Sequence, residues 1–463
     1  MAPQVEILDY LMELTIAKNL LPKENDHMAD IQAFRALRFN LAQVGMLSNV
    51  VCPPYDVIDP ALQRRLLEMS PYNIVRLELQ PDQPGDDEQT NRYSRAAQIM
   101  REWIREDVLV TETRPAVFLV EQNYTVGDQT YTRKGFMARV RLEPFGTGNI
   151  YAHEETHSGP KADRLKLYKA TATNLSPIFG LYPDQENSVI TALEHATRQV
   201  LPIEATDHLG VTSRIWSITD VSAIQAAQAT LCNLPVFIAD GHHRYETGCK
   251  YLEEALLAGE AKDENAPQRF ILMLLVSMGD PGLTIMPTHR LVDGLPGMDA
   301  ATLATKLSPY FHIERVGAGN EAGFAAWRRI SEDGSQDIIG LGTRADGIWT
   351  LLRLKPEGVE ELARRVPEHT PEWQSLGVSI LHRLVLDLLA PNGGLKVRYV
   401  HEDLEAVPAV HTDGPLGCDL SALVPPCEMD HVAEIASNNE KMPPKSTYFY
   451  PKVLSGLVLN PLR

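Results

Sequence analysis

Apolar residues recur at helical spacing from Glu6 to Leu20, are interrupted at Pro22-Lys-Glu-Asn-Asp, and resume from Met28. Residues 1–27 are therefore expected to form an N-terminal extension, with the functional unit opening at Met28. Beyond the turn-rich Cys52-Pro-Pro-Tyr-Asp-Val, the pattern predicts a helix over Ala61–Met69, an apolar strand over Asn73–Leu79 and a helix over Thr90–Asp107. Two apolar runs, Pro115–Tyr124 and Thr130–Val140, flank Val126-Gly-Asp and predict a β-hairpin. A polar loop, Asn149–Pro160, leads to a helix over Asp163–Ala172 and a strand over Ile178–Tyr182. Pro235–Ala239 suits a short buried strand, while Tyr245, Cys249, Leu252 and Leu256 share one face of a following helix. Gln268–Val276 is apolar throughout, which fits a buried strand or a buried helix. Residues 298–358 predict a separate helix-plus-sheet lobe, and Pro367–Leu389 a mostly helical stretch before a final apolar strand. Both element types alternate, so an α+β, or mixed α/β, architecture is expected.

Composition narrows the function classes. The 463 residues are 44% hydrophobic and 22% charged, which supports a sizeable core and about two domains. Lys and Arg total 43 against 61 Asp and Glu, a net charge of −18; with no concentrated basic patch, such a surface repels nucleic acid. Five cysteines without a Cys-x-x-Cys pair fit a reducing compartment. The start of the chain lacks a secretory signal pattern and no later run is long enough for a bilayer, so a cytoplasmic protein without membrane attachment is expected. The oligomeric state is not legible in the pattern.

The chemistry concentrates at Asp240-Gly-His-His-Arg, between the apolar run and the helical face. Gly241 permits backbone angles closed to other residues, and the N–H groups of a helix start favour anions. His242, His243 and Arg244 add donors, and an arginine can take two phosphate oxygens at once. Asp240 at the strand end suits a divalent cation or a proton. The alternative is a helix cap whose histidines are satisfied by nearby carboxylates.

Gly241-His-His-Arg resembles the Gly-Cys-His-Arg of sulfiredoxin and the Gly-Glu-Arg-Arg of ParB proteins, and Asp240-Gly-His-His-Arg is similar to the motif of free L-serine kinases on that same fold. More widely, the chain resembles a bacterial and archaeal family of the DUF type. The resemblance runs through Phe34-Arg-Ala-Leu-Arg-Phe-Asn, Pro53-Pro-Tyr-Asp-Val-Ile, Asn73-Ile-Val-Arg-Leu, His153-Glu-Glu-Thr, Asp163-Arg, Asn174-Leu-Ser-Pro-Ile, Ala239-Asp-Gly-His-His-Arg-Tyr-Glu-Thr and Met442-Pro-Pro-Lys-Ser-Thr-Tyr-Phe-Tyr-Pro-Lys. It implies a ParB/sulfiredoxin-like nucleotide-binding core over residues 28–295 and a C-terminal α/β region over 296–463 that contributes Lys445. It further implies a kinase passing a phosphoryl group from ATP or ADP, with Mg2+, to the hydroxyl of free L-serine. A cysteine would be needed at His242 for sulfiredoxin chemistry.

On that reading Gly241, His242, His243, Arg244 and Lys445 bind phosphates, Asp240 and His243 act at the reacting centre with Asp240 also holding the metal, and Glu154 is the general base. Tyr55, Asp56, His153 and Thr156 are the expected substrate contacts. Glu155 is the substitute base, and a structural carboxylate that pairs with Arg164 or caps the next helix is the alternative for either. His153-Glu-Glu-Thr-His157 also spells a zinc-protease pattern, but Gly146-Thr-Gly and Ser158-Gly-Pro place it in a loop rather than on the helix such a site needs. Lys445, Ser446, Thr447 and Lys452 group cations and hydroxyls without the glycines of a Walker A loop. Arg35, Arg38 and Arg76 are either ligand clamps or ion-pair partners. A ParB-like nucleotide switch with slow hydrolysis and a phosphohydrolase using His242 or His243 are the competing functions.

Overall fold

A computed structural model describes residues 30–154, 158–198, 200–438 and 440–463. They divide into two compact units. The first runs to Ala152, continues through Leu283 and ends with Pro451–Arg463; the second holds His153, Glu154 and Thr284–Tyr450. The division thus falls at Leu283, not at the expected 295/296, and the closing segment belongs with the first unit because its strands and bridges pair there: Ser455 with Cys52, Leu459 with Leu37. The expected extension, residues 1–27, lies outside the described residues.

The first unit is built on a nine-stranded mixed sheet. Its strands are β1 (Ile31–Gln32), β2 (Val117–Val126), β3 (Gln129–Arg141), β4 (Ile150–Ala152), β5 (Ile178–Tyr182), β6 (Ile203–Thr206), β7 (Thr212–Ile218), β8 (Val236–Asp240) and β9 (Phe270–Ser277). The order is β4-β8-β5-β9-β3-β2-β7-β6, with β1 added to β3. β2 and β3 form the expected hairpin. Its two-residue turn needs a left-handed first residue, and Gly127 supplies it at φ 58°. The Phe270–Ser277 run resolves as strand: all eight residues are buried, it pairs parallel to β5 and antiparallel to β3, and a strand enclosed on both faces needs no polar alternation.

One expected strand is a helix. Asn73–Leu79 contains α2 (Val75–Glu78), after α1 (Pro60–Met69) and before α3 (Arg92–Arg105). The Asn73 side chain accepts the Val75 N–H at 3.0 Å and donates to the carbonyls of Asn49 and Val51, holding the chain in a turn that apolar periodicity alone does not reveal. α4 (Ser158–Thr171), α5 (Ser188–Thr197), α6 (Val221–Leu231) and α7 (His242–Leu257) complete the layers used below. The core joins Phe136, Val140, Ile178, Val236, Ile238 and Ile271 of the sheet to Val189, Leu193, Ile224, Leu231, Tyr245 and Leu252 of α5, α6 and α7. Tyr245 is fully buried and its hydroxyl both donates to the Glu143 carbonyl at 2.7 Å and accepts the Glu143 N–H at 3.0 Å, so the first turn of α7 is anchored.

The second unit carries the expected helix-plus-sheet lobe. Its six-stranded antiparallel sheet comprises β11 (His289–Asp293), β12 (Phe311–Ala318), β13 (Ile338–Thr343), β14 (Ile348–Leu354), β15 (Lys396–Val400) and β16 (Leu420–Leu423), ordered β12-β14-β13-β16-β11-β15. A two-stranded ladder joins β10 (Thr284–Met286) to β17 (Tyr448–Tyr450). Helix α8 (Gly319–Asp333) lays Ala326 and Ile330 against Trp349, at the centre of this unit's core. Among the described residues no helix is long and apolar enough to cross a membrane.

Candidate functional site

The Asp-Gly-His-His-Arg segment sits where β8 ends and α7 begins. A register shift between Ile238 and Asp240 against β5 bends the strand end and re-aims Asp240. Gly241 then turns the chain at φ 92°, and a Cβ there would come within 2.9–3.0 Å of the Arg244 guanidinium. Only glycine meets both demands.

Arg244 folds back over this glycine. It is 3% exposed; Nη2 donates to Asp240 Oδ2 at 2.6 Å and Nη1 donates to the Pro177 carbonyl. Lys452 Nζ donates to the other oxygen of Asp240, with both side chains 14% exposed. The carboxylate is thus held between two cations, an arrangement that differs from the expectation in two ways. Arg244, expected to grip phosphate oxygens with its fork, spends that fork on Asp240 and on a backbone carbonyl. Asp240, expected to bind metal, has both oxygens committed to cations, which would repel a divalent ion. Among the described residues no group of three or more His, Cys, Asp or Glu side chains is placed to hold a metal. His242 is buried and His243 half-buried on the first turn of α7.

The proline-fixed loop comes to the same patch. Burial pushes the Tyr55 hydroxyl up to about 12, with Asp56 adding to the effect, and Arg244 and Arg164 acting against it. Arg164 lies over the Tyr55 ring at 4.2 Å from its centre. Its guanidinium reaches Glu78 at 3.3 Å and Asp163 at 2.7 Å, and Asp163 also takes the Tyr93 hydroxyl and Arg92, each at 2.7 Å. Burial opposes the charge on Arg244, but Asp240, then Asp56, Tyr55 and Glu78, outweigh it and raise its pKa above the ordinary guanidinium value. Arg164 therefore pairs with Glu78 and Asp163 rather than with Glu154.

The expected base lies in the second unit. His153 is 1% exposed; its Nε2 hydrogen-bonds Thr447 Oγ1 at 2.9 Å and its carbonyl accepts the Met442 N–H at 2.7 Å. Glu154 bridges Met442 in parallel register, and its Oε1 accepts the Lys445 N–H at 3.2 Å. Glu154 and Lys445, far apart in sequence, are therefore brought together. Lys445 adopts φ 56°, the left-handed region that a β-carbon disfavours. Glu155, Thr156 and His157 lie outside the described residues, so the substitute base, one expected substrate contact and the second histidine of the zinc-protease pattern are not placed.

Two residues missed in the sequence reading hold this segment. Arg290, at the start of β11, is fully buried and donates to the carbonyls of Lys445 at 3.0 Å and Pro444 at 3.3 Å. In the first unit Arg133, also buried, donates at 2.6 Å to the carbonyl of Pro451, the residue before Lys452. An arginine within a strand was the available signal in both cases, and it says nothing about which carbonyl is taken. Arg35, Arg38 and Arg76 resolve as framework: the first two engage Glu112 and the third the Leu67 carbonyl. Asn174, in another matched motif, accepts from the Leu272 N–H and from Asn460, tying β9 to the chain end.

The chain belongs to the family described as protein of unknown function (DUF1015), whose model matches residues 31–379. No curated protein matches it. Among solved structures it is similar to a free serine kinase in complex with AMP, at 11% identity and a TM-score of 0.32, over 66% of this chain and 88% of that one. A conserved hypothetical protein from Pyrococcus furiosus, at 12% identity and TM-score 0.31, is covered over 89% of its length against 66% of this chain. SbnI from Staphylococcus aureus, truncated at its C-terminus, matches at 11% identity and TM-score 0.31, over 69% of this chain and 85% of that one. Likenesses this loose assign no activity.

Proposed function

We propose that this member of the DUF1015 family is a small-molecule kinase that transfers a phosphoryl group from ATP or ADP to a hydroxyl, with free L-serine as the acceptor and O-phosphoserine as the product. The observation that carries the reading is the turn at Asp240: Gly241 at φ 92° opens α7 with His242 and His243 on its first turn, and Arg244 and Lys452 hold the Asp240 carboxylate that precedes it. The N–H groups of a helix start, with the donors of its first turn, favour a small anion. The resemblance of Asp240-Gly-His-His-Arg to the serine-kinase motif names that anion as nucleotide phosphate.

Phosphoryl transfer asks the protein to hold phosphates, spread their charge and orient the attacking hydroxyl. The α7 start with His242, His243 and Lys452 answers the first two needs, and Arg244 and Asp240 hold the turn in shape. Glu154 takes the proton from the acceptor hydroxyl; the Lys445 N–H fixes the direction of its carboxylate. The Asp240 oxygens do not fit as magnesium ligands, so Mg2+ would come with the nucleotide, carried by phosphate oxygens, and supply charge neutralisation there. Tyr55 and Asp56 are the substrate-side groups on the patch of Arg244.

The test is a product assay with purified protein, magnesium, ATP or ADP, and a panel of hydroxyl-bearing amino acids, alongside Glu154→Gln and His243→Ala. Phosphoserine from the wild type but not from Glu154→Gln supports the kinase and its base. Nucleotide binding with no phosphorylated product turns the assignment to a nucleotide switch, and phosphate release from phosphoserine without nucleotide turns it to a phosphohydrolase.

A further inference from the structure

Arg290 is costly to keep. Its guanidinium is fully buried, and among the described residues no carboxylate pairs with it. Its neighbours are neutral: the carbonyls of Thr288, Pro444 and Lys445, His382 Nε2 at 3.3 Å from its Nε, and the Tyr399 ring, 5.4 Å away at its centre. Burial, with Arg290 itself next, pulls His289 and His382 down to about 3, so both are uncharged and His382 can accept. Burial likewise draws Arg290 down to about 10, still charged at neutral pH. A guanidinium buried without a counter-charge is unfavourable, and this one spends its donors on backbone carbonyls instead.

The strain lies where this charge is directed. Lys445 is one of few described non-glycine residues with positive φ, a conformation that a β-carbon disfavours. Arg290 holds the carbonyls on both sides of that residue's N–H, at Pro444 and Lys445, and the same N–H is the donor to Glu154. Ser446 adds a local brace by donating to the Pro443 carbonyl, and Cys427 Sγ meets the Ser446 carbonyl at 3.4 Å. A buried charge and a strained turn converge on one amide and the carboxylate it orients.

We propose that Arg290 is a positioning residue of the phosphoryl-transfer reaction, fixing the left-handed turn at Lys445 and through it the orientation of Glu154. The assignment rests on the kinase reading above. Arg290 touches neither substrate nor nucleotide; it acts through the turn.

The experiment compares full-length wild type, Arg290→Met and Arg290→Lys for kcat, for KM of nucleotide, for thermal midpoint, and for amide hydrogen exchange over residues 441–450. Loss of orientation at a base costs about 100-fold, so Arg290→Met should lower kcat by that order while nucleotide KM stays within about threefold. Faster exchange in 441–450 should accompany it, and Arg290→Lys, which keeps the charge and some donors, should recover part of kcat. Arg290→Met with kcat near wild type, or with unchanged exchange in 441–450, overturns the proposal. So does a loss of kcat that only follows a fall in thermal midpoint and is no smaller in Arg290→Lys. Failure of the kinase reading is distinct from these results, because the wild type itself would then form no product.

Discussion

Asp240→Asn separates two roles that a carboxylate at a strand end can play. In the wild type its oxygens take Lys452 Nζ and, at 2.6 Å, Arg244 Nη2. The substitution keeps the shape and one acceptor oxygen but removes the negative charge, leaving Arg244, 3% exposed, without its carboxylate. Removing one partner of a buried pair costs about 3–5 kcal/mol; the remaining amide oxygen puts this case near 3 kcal/mol. The local charge rises by one unit at the same time, so affinity for ADP should stay level or tighten by up to about tenfold at low salt. Denaturant unfolding gives the first quantity, and calorimetric titration with ADP, with and without magnesium, gives the second. If Asp240→Asn unfolds within about 1 kcal/mol of wild type and loses only its magnesium-dependent ADP binding, Asp240 is a metal ligand after all and the ion-pair reasoning fails.

Three further outcomes are expected. Glu154→Gln should lower kcat by about 10²–10⁴-fold with ADP affinity unchanged, checked by steady-state kinetics beside titration. Lys452→Met should weaken ADP about tenfold but leave adenosine binding alone, since the lost charge faces phosphate; equal losses for both ligands would argue against that placement. Tyr55→Phe bears on alkaline stability: burial lifts the folded-state hydroxyl from 10.0 to about 12. The stabilisation from a raised acid is complete below the unfolded value and is lost as pH climbs from about 10 to about 12, at up to roughly 1.4 kcal/mol per pH unit. The variant should therefore show a shallower loss of stability over that window in denaturant titrations.

Local signals carried the elements around the turn. The strand over Ile178–Tyr182 and the Asp240-to-α7 junction follow from short apolar runs, helical spacing and a glycine that must turn left-handed, all of which act within a few residues. Asn73–Leu79 misled because its apolar spacing fits a strand, while the bonds that force a turn come from carbonyls 22 and 24 residues away. The same limit applies to the site. The concentration of donors at Asp240-Gly-His-His-Arg was visible, but Arg244 was read as a phosphate fork because nothing local announces the Pro177 carbonyl, 67 residues from it, and Asp240 as a metal ligand because nothing local announces Lys452, 212 residues from that carboxylate. Glu154 and Lys445 were each singled out for their chemistry; that one backbone amide joins them across 291 positions is a property of the fold.

The motif Met442-Pro-Pro-Lys-Ser-Thr-Tyr-Phe-Tyr-Pro-Lys acquires a physical explanation from its two ends. Prolines cannot donate, but their carbonyls accept, and a proline-fixed backbone offers them in a fixed direction. Pro444 and Lys445 offer theirs to buried Arg290, and Pro451 offers its own to buried Arg133, which burial draws down to about 10. Each arginine thereby places the lysine at or next to its carbonyl: Lys445, whose N–H meets Glu154, and Lys452, whose ammonium meets Asp240. Among the described residues no carboxylate pairs with Arg290 to account for its burial. A fold seeking only stability would have filled that position with an apolar side chain. A buried cation that fixes Lys445 beside the Glu154 carboxylate is better explained by the geometry it enforces than by the packing it provides.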